Sequence, residues 1–81
     1  MKEMTFQDKV KILFNLALFP EVVDVFIQEH PTDTRFISVQ LEVNGKNAYV
    51  LYEADLDASA NKIICILERR IREKIKDMEE A

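Results

Sequence analysis

With 81 residues the chain has material for one hydrophobic core and none for a second, so residues 1–81 are read as a single domain. Its residues are 48% hydrophobic and 32% charged with one Gly and two Pro, a balance that supports folding and lacks the bias of disordered linkers. One His, one Cys and one Gly cannot supply a metal set of usual spacing or a phosphate-cradling loop, and a net charge of −4 opposes general nucleic-acid binding.

Thr5-Phe6-Gln7-Asp8 has the form of a capping box, in which Thr5 accepts from a first-turn amide and Asp8 answers its backbone N–H. A helix is predicted to begin there. Phe6, Val10, Leu13 and Ala17 follow at spacings of four, three and four, and Phe14 and Leu18 widen this stripe toward a broad face expected to be buried. Pro20 is expected to end the helix at or near Leu18. The apolar run Ile12–Phe19 does not read as a secretory signal. Glu3 and Asp8 spoil the positive leading region, Asn15 interrupts the run, and no small-x-small cleavage site precedes Pro20. It is also far short of the roughly 20 residues that span a bilayer. No membrane association is expected, and a cytoplasmic location is.

Val22-Val23-Asp24-Val25-Phe26-Ile27-Gln28 admits two readings, because Pro20 could open a second helix as its first residue. Its β-branched residues favour a strand, with Val23, Val25 and Ile27 alternating with Asp24, Phe26 and Gln28. His30-Pro31-Thr32-Asp33-Thr34 reads as a polar connection. Beyond Arg35 the pattern is clearer: Ile37, Val39, Leu41 and Val43 alternate with Ser38, Gln40 and Glu42 up to Asn44-Gly45. Asn-Gly suits a two-residue type I′ turn, whose central positions both need positive φ. Counting outward from it, Val43 faces Lys46, Leu41 faces Ala48, Val39 faces Val50 and Ile37 faces Tyr52 on one side. Gln40 faces Tyr49 and Ser38 faces Leu51 on the other. A slip of one residue would bury Gln40 and Glu42, so this register is strongly specified.

Asp55-Leu56-Asp57-Ala58 is expected to end the strand and to place carboxylates where they cap the last helix. Ala60, Ile64, Leu67, Ile71, Ile75 and Met78 then recur every three or four residues, with Ile63 and Ile66 making the first half apolar almost all round. Cys65, inside Ile63-Ile64-Cys65-Ile66-Leu67, is expected to be a small buried hydrophobe, and a lone thiol leaves no disulfide within the chain. Farther on, Glu68 with Arg72, Arg69 with Glu73 and Lys76 with Glu80 are opposite charges at i, i+4. The thin apolar seam between them suits packing on the sheet or a coiled-coil partner. The predicted fold is α+β in the order α-β-β-β-α, a three-stranded antiparallel meander with two helices packed on one face.

That order, with the segment Thr34-Arg35-Phe36-Ile37-Ser38-Val39-Gln40-Leu41-Glu42-Val43-Asn44-Gly45-Lys46, resembles the double-stranded RNA-binding domain family. The resemblance implies both helices on one face of the sheet. It also implies lysines at the start of the last helix, where family members hold phosphates. Here that stretch reads Asp55-Leu56-Asp57-Ala58-Ser59-Ala60-Asn61-Lys62, so Lys62 alone could serve, with His30 or Arg35 as loop contacts.

Charge points away from nucleic acid as well. Residues 21–61 hold eight acids against Arg35 and Lys46, a net of −6 that exceeds the −4 of the whole chain. Such a surface repels phosphate, whereas nucleic-acid binders rely on Lys and Arg contacts that release counterions. It either imitates nucleic acid toward a basic partner or only keeps the protein in solution. Arg69, Arg70, Arg72, Lys74 and Lys76 spread around the last helix among acids and read as a solvated face. Asp55 and Asp57 as a catalytic pair, or His30 as a catalytic base, are each explained more simply, by capping and by a surface loop. No enzyme, metal or cofactor is expected.

With the helices on the face of Ile37, Val39, Leu41, Val50 and Tyr52, the opposite face would expose Phe26, Phe36, Tyr49 and Leu51 amid Asp24, Gln40, Glu42 and Glu53. Apolar residues rimmed by acids suit a protein-interaction patch, and equally a set of cross-strand contacts that only stabilise the sheet. The expected function is that of a small acidic binding module acting as adaptor, regulator or inhibitor on another protein or on itself as a homodimer. It would act through this face or the late-helix seam. Weak binding of duplex RNA through Arg35 and Lys62 is the alternative.

Overall fold

The computed structural model describes residues 4–29, 34–55 and 57–80. They form helix α1 (Phe6–Leu16), strands β1 (Val22–Glu29), β2 (Thr34–Val43) and β3 (Lys46–Asp55), and helix α2 (Ala60–Glu80), in the α-β-β-β-α order. The strands make one antiparallel sheet, β1-β2-β3. Of the predicted connection, Thr34 belongs to β2, while His30-Pro31-Thr32-Asp33 lies outside the described residues, as does Leu56.

The turn chemistry sets the β2–β3 hairpin. Asn44 and Gly45 both have positive φ, 54° and 78°, as a type I′ turn requires. The register is the one counted from the sequence, from Val43 opposite Lys46 through Leu41–Ala48, Val39–Val50 and Ile37–Tyr52, and it continues to Thr34 opposite Asp55. A Cβ added at Gly45 would meet nothing within 4 Å, so substitution there is opposed by backbone conformation alone. Gly45→Ala is therefore expected to cost about 1 kcal/mol with the fold retained. Urea unfolding of the two proteins measures it, and equal midpoints would contradict the turn assignment.

Val22–Glu29 forms the strand that its β-branched residues favour, but its alternation is broken. Val22 pairs with Leu41 and Asp24 with Gln40, so a bulge at Val23 places two steps of β1 against one of β2. Val22, Val25 and Ile27 pack against the core, whereas Val23, expected on that same side, is exposed. The Asp24 carboxylate accepts the Val25 N–H at 2.9 Å, and the Glu42 N–H donates to the Glu21 carbonyl at 2.9 Å beside the bulge.

Thr5 caps α1 as predicted, its hydroxyl accepting the Asp8 N–H at 3.1 Å. The helix ends at Leu16, short of the expected Leu18, and Leu18 and Phe19 donate three residues back in a tightening last turn. Its buried face is not the predicted one. Ile12 and Leu16 are buried with Met4, while Phe6, Val10, Leu13, Phe14 and Leu18 face solvent. The Ile12/Leu16 row lies roughly a third of a turn around the helix from the Phe6/Val10/Leu13 stripe. Periodicity reveals such stripes without saying which one meets the sheet.

α2 is capped by Ser59, whose Oγ accepts the Lys62 N–H at 3.2 Å, and not by the expected carboxylates. Asp55 contributes a backbone carbonyl to the preceding turn, accepting from the Ala58 N–H at 3.0 Å. Ile63, Ile64, Leu67 and Ile71 are buried, and Ala60, Ile75 and Met78 pack at the core margin. Cys65 is exposed, because the inward arc is taken by its neighbours at 63, 64 and 67. Glu68 and Arg72 approach to 3.6 Å as the i, i+4 spacing anticipates.

Both helices contact the sheet and each other, enclosing a core of Ile37, Val39, Leu41, Val50 and Ala54 from the strands with Ile12, Leu16, Ile63, Ile64, Leu67 and Ile71 from the helices. They run in the same direction. At one end Met4 N–H donates to the Glu29 carboxylate at 3.0 Å, and Arg35 donates to the Ala58 carbonyl at 3.2 Å. Toward the other end Arg72 lies over the Phe19 ring at 5.6 Å. With the helical layer on one side, the other side of the sheet is left open. No helix among the described residues is long and apolar enough to cross a membrane.

Candidate protein-interaction surfaces

The strand register fixes what the open side of the sheet displays. Phe26, Ser38 and Leu51 form one row across the three strands; Gln28, Phe36 and Glu53 form the next row, and Asp24, Gln40 and Tyr49 the row on the other side. The predicted patch of Phe26, Phe36, Tyr49 and Leu51 is thus brought together on one surface, with Tyr49 60% and Leu51 64% exposed. Glu42 opposite Asn47 and Asp55 opposite Thr34 close the two ends. The same-face acids are Asp24, Glu42, Glu53 and Asp55, and no Lys or Arg of the described strand residues projects from it, since Arg35 and Lys46 pair on the inner side. Gln40 donates to the Asn47 side chain at 3.5 Å across this face.

A second apolar surface was not identified from the sequence, where its residues were assigned to the core. Phe6 is 80% and Phe14 67% exposed on the outer side of α1, with Val10 and Leu13 between them, and Leu18, also 67% exposed, follows in the turn after the helix. Phe6, Val10 and Phe14 line a shallow groove together with Gln7, Lys11 and Asn15. Next to its far end, Asn15, Leu18 and Phe19 line a second depression together with Glu68 and Arg72 of α2. The signal that could have found this surface is the presence of two apolar rows on one 11-residue helix, more than a single sheet contact can cover.

The residues expected to contact RNA are not gathered. Arg35 is 3% exposed on the inner side of the sheet, with its guanidinium 3.9 Å from Glu29 and bonded to Ala58, so it cannot reach a phosphate. Lys62 is exposed but stands beside Asp55 and Asp57. His30 lies outside the described residues. Two of the α2 bases are engaged within the fold: Arg70 donates to the Leu51 carbonyl at 3.0 Å and stacks over Tyr52 at 4.9 Å, and Arg72 covers Phe19. The Arg70 bond occupies a backbone acceptor on the open edge of β3 and so blunts that edge against strand pairing. Among the described residues, no three His, Cys, Asp or Glu side chains converge as a metal set.

Comparison of the chain with protein-family models, with curated proteins and with solved structures finds no match.

Proposed function

We propose that this protein is a non-enzymatic binding module of the cytoplasm, an adaptor, regulator or inhibitor, that docks a positively charged partner protein on the open side of its sheet. The supporting observation is the composition of that side: Phe26, Phe36, Tyr49 and Leu51 among four acids and no strand base. Exposed aromatics give contact area at low entropic cost, and like-signed acids around them favour a cationic partner and disfavour anionic ones. A second copy of the same face would bring acid against acid, which makes self-association there unfavourable.

Exchange of Phe26, Tyr49 and Leu51 for Ser tests the reading. These side chains are exposed, so the domain is expected to keep its circular dichroism spectrum while losing the partner that the native protein captures from lysate. Asp24→Asn with Glu42→Gln and Glu53→Gln is expected to weaken the same capture and to flatten its salt dependence. Capture of every partner by both variants would refute the sheet-face reading.

The α-β-β-β-α order also supports, in architecture, a relationship to double-stranded RNA-binding domains, but the buried Arg35 and the acids flanking Lys62 argue against the activity. Duplex RNA added at low salt is expected to leave the amide spectrum unmoved. Shifts centred on Lys62 that fade as salt is raised would restore the RNA-binding alternative.

A further inference from the structure

We propose that the outer side of α1 is the seam of a symmetric homodimer, in which a second copy of this chain lays its own α1 across Phe6, Val10, Leu13, Phe14 and Leu18. These five large side chains face solvent on α1 and the turn after it, while the Ile12 and Leu16 row, roughly a third of a turn away, already supplies the contact with the core. Among the described residues nothing covers Phe6, Phe14 or Leu18, and Val10 and Leu13 stay 46% and 40% exposed. Their spacing is that of a helix–helix seam. Phe6 to Val10 is four residues, Val10 to Leu13 three, and Leu13 to Ala17 four, the alternation that keeps apolar knobs turned toward a partner helix.

The area is consistent with a second copy. At the observed exposures the stripe offers roughly 500 Å² of surface, so two copies together bury at most about 1,000 Å², the lower bound for a specific interface. Charge agrees with it. The groove over Phe6, Val10 and Phe14 is lined by Gln7, Lys11 and Asn15, and Glu68, beside Leu18, is paired with Arg72, so two stripes meet without the acid repulsion of the sheet face. An antiparallel arrangement places Phe6 near the other Leu18 and Val10 near the other Phe14, with the two exposed Lys11 side chains on one edge of the seam near its centre, where their long stems reach solvent. The contact is isologous and closes at two chains, and it leaves both acidic sheet faces pointing outward. If the sheet face also binds its partner, the dimer presents that site twice.

The interface is short, about three helical turns, so dissociation in the micromolar range is expected. Light scattering and sedimentation equilibrium of the full chain across roughly 5–500 µM are expected to show the mass passing from 9.5 kDa to twice that value. Phe14→Glu is expected to weaken association by at least about 30-fold, as for loss of a central interface anchor. Leu51→Glu, on the sheet face, is expected to leave it unchanged. Amide shifts of the native protein on dilution provide a readout that needs no variant, and they should concentrate in residues 6–18. A monomer throughout the range overturns the proposal. So do dilution shifts confined to the strands, a Phe14→Glu protein that folds and dimerises as tightly as the native one, and a mass that climbs past two chains, which would mean α1 packing on the sheet of the next copy. Loss of the sheet-face partner by the triple Ser variant is a separate readout, so either reading can fail alone.

Discussion

Leu67→Ala is expected to lower the unfolding free energy by about 3 kcal/mol, while Leu51→Ala changes it by less than about 0.5 kcal/mol. The two leucines carry the same side chain and differ in surroundings. Leu67 is fully buried on α2 within the cluster that includes Ile37, Val39, Leu41 and Ile63, and truncation there loses transfer free energy and leaves a cavity between helix and sheet. Leu51 is mostly exposed on the open face of β3, where truncation removes little buried surface. An 81-residue domain has about 4–12 kcal/mol of total stability, so the first change removes a large part of it. Urea midpoints of the two variants, taken at equal low protein concentration so that any dimer contributes equally, decide the matter. Similar losses at both sites would mean that Leu51 is covered in the native state.

The sheet was legible in the sequence because strand physics is local there. A side-chain period of two and an Asn-Gly turn leave one register that buries Ile37, Val39 and Leu41 together, and the observed pairing is that register. β1 was legible in type from its β-branched residues but not in its bulge, since Val22-Val23 gives two apolar neighbours and only the pairing with Leu41 and Gln40 shows which turns inward. α1 was legible at its start, where Thr5 caps Asp8, and not in its orientation. Two apolar rows compete for the core, and the choice falls to Ile12 and Leu16 through contacts with elements far away in sequence. The same limit hid the second surface. Phe6 and Phe14 look like core residues in any window of the sequence, and only the position of the sheet leaves them outside. Cys65 and Arg35 failed in opposite directions for a related reason. Near-continuous apolar neighbours suggested burial for the first, while a charge at a strand start suggested exposure for the second.

Arg35→Ala is expected to cost about 3 kcal/mol, an effect near that of a core truncation although the residue is charged. Its guanidinium lies on the inner side of β2 at the end of the sheet where four segments meet. Nη1 donates to the Ala58 carbonyl just before α2, and Nε lies 3.9 Å from the Glu29 carboxylate at the end of β1. That same carboxylate oxygen accepts the Met4 N–H ahead of α1 at 3.0 Å. One cation thus holds together the starts of both helices and the ends of two strands. Truncation removes the donor to Ala58, leaves Glu29 without its cation, and empties the space of a long side chain. Glu29 keeps 23% of its side chain exposed, and water screens part of its loss, which places the cost below the upper range for buried pairs. Arg35→Met retains the packing of the stem and is expected to recover about 1 kcal/mol. Glu29→Gln is expected to cost only about 1 kcal/mol, because its amide carbonyl can still accept from Met4. Hydrogen exchange gives the local signature: in Arg35→Met, protection should fall first around Met4 and in the first turn of α2, while the amides of the β2–β3 hairpin near Asn44 stay protected. A loss under about 1 kcal/mol for Arg35→Ala, or protection lost evenly along the chain, would show that the guanidinium fills space without tying the two helices to the sheet.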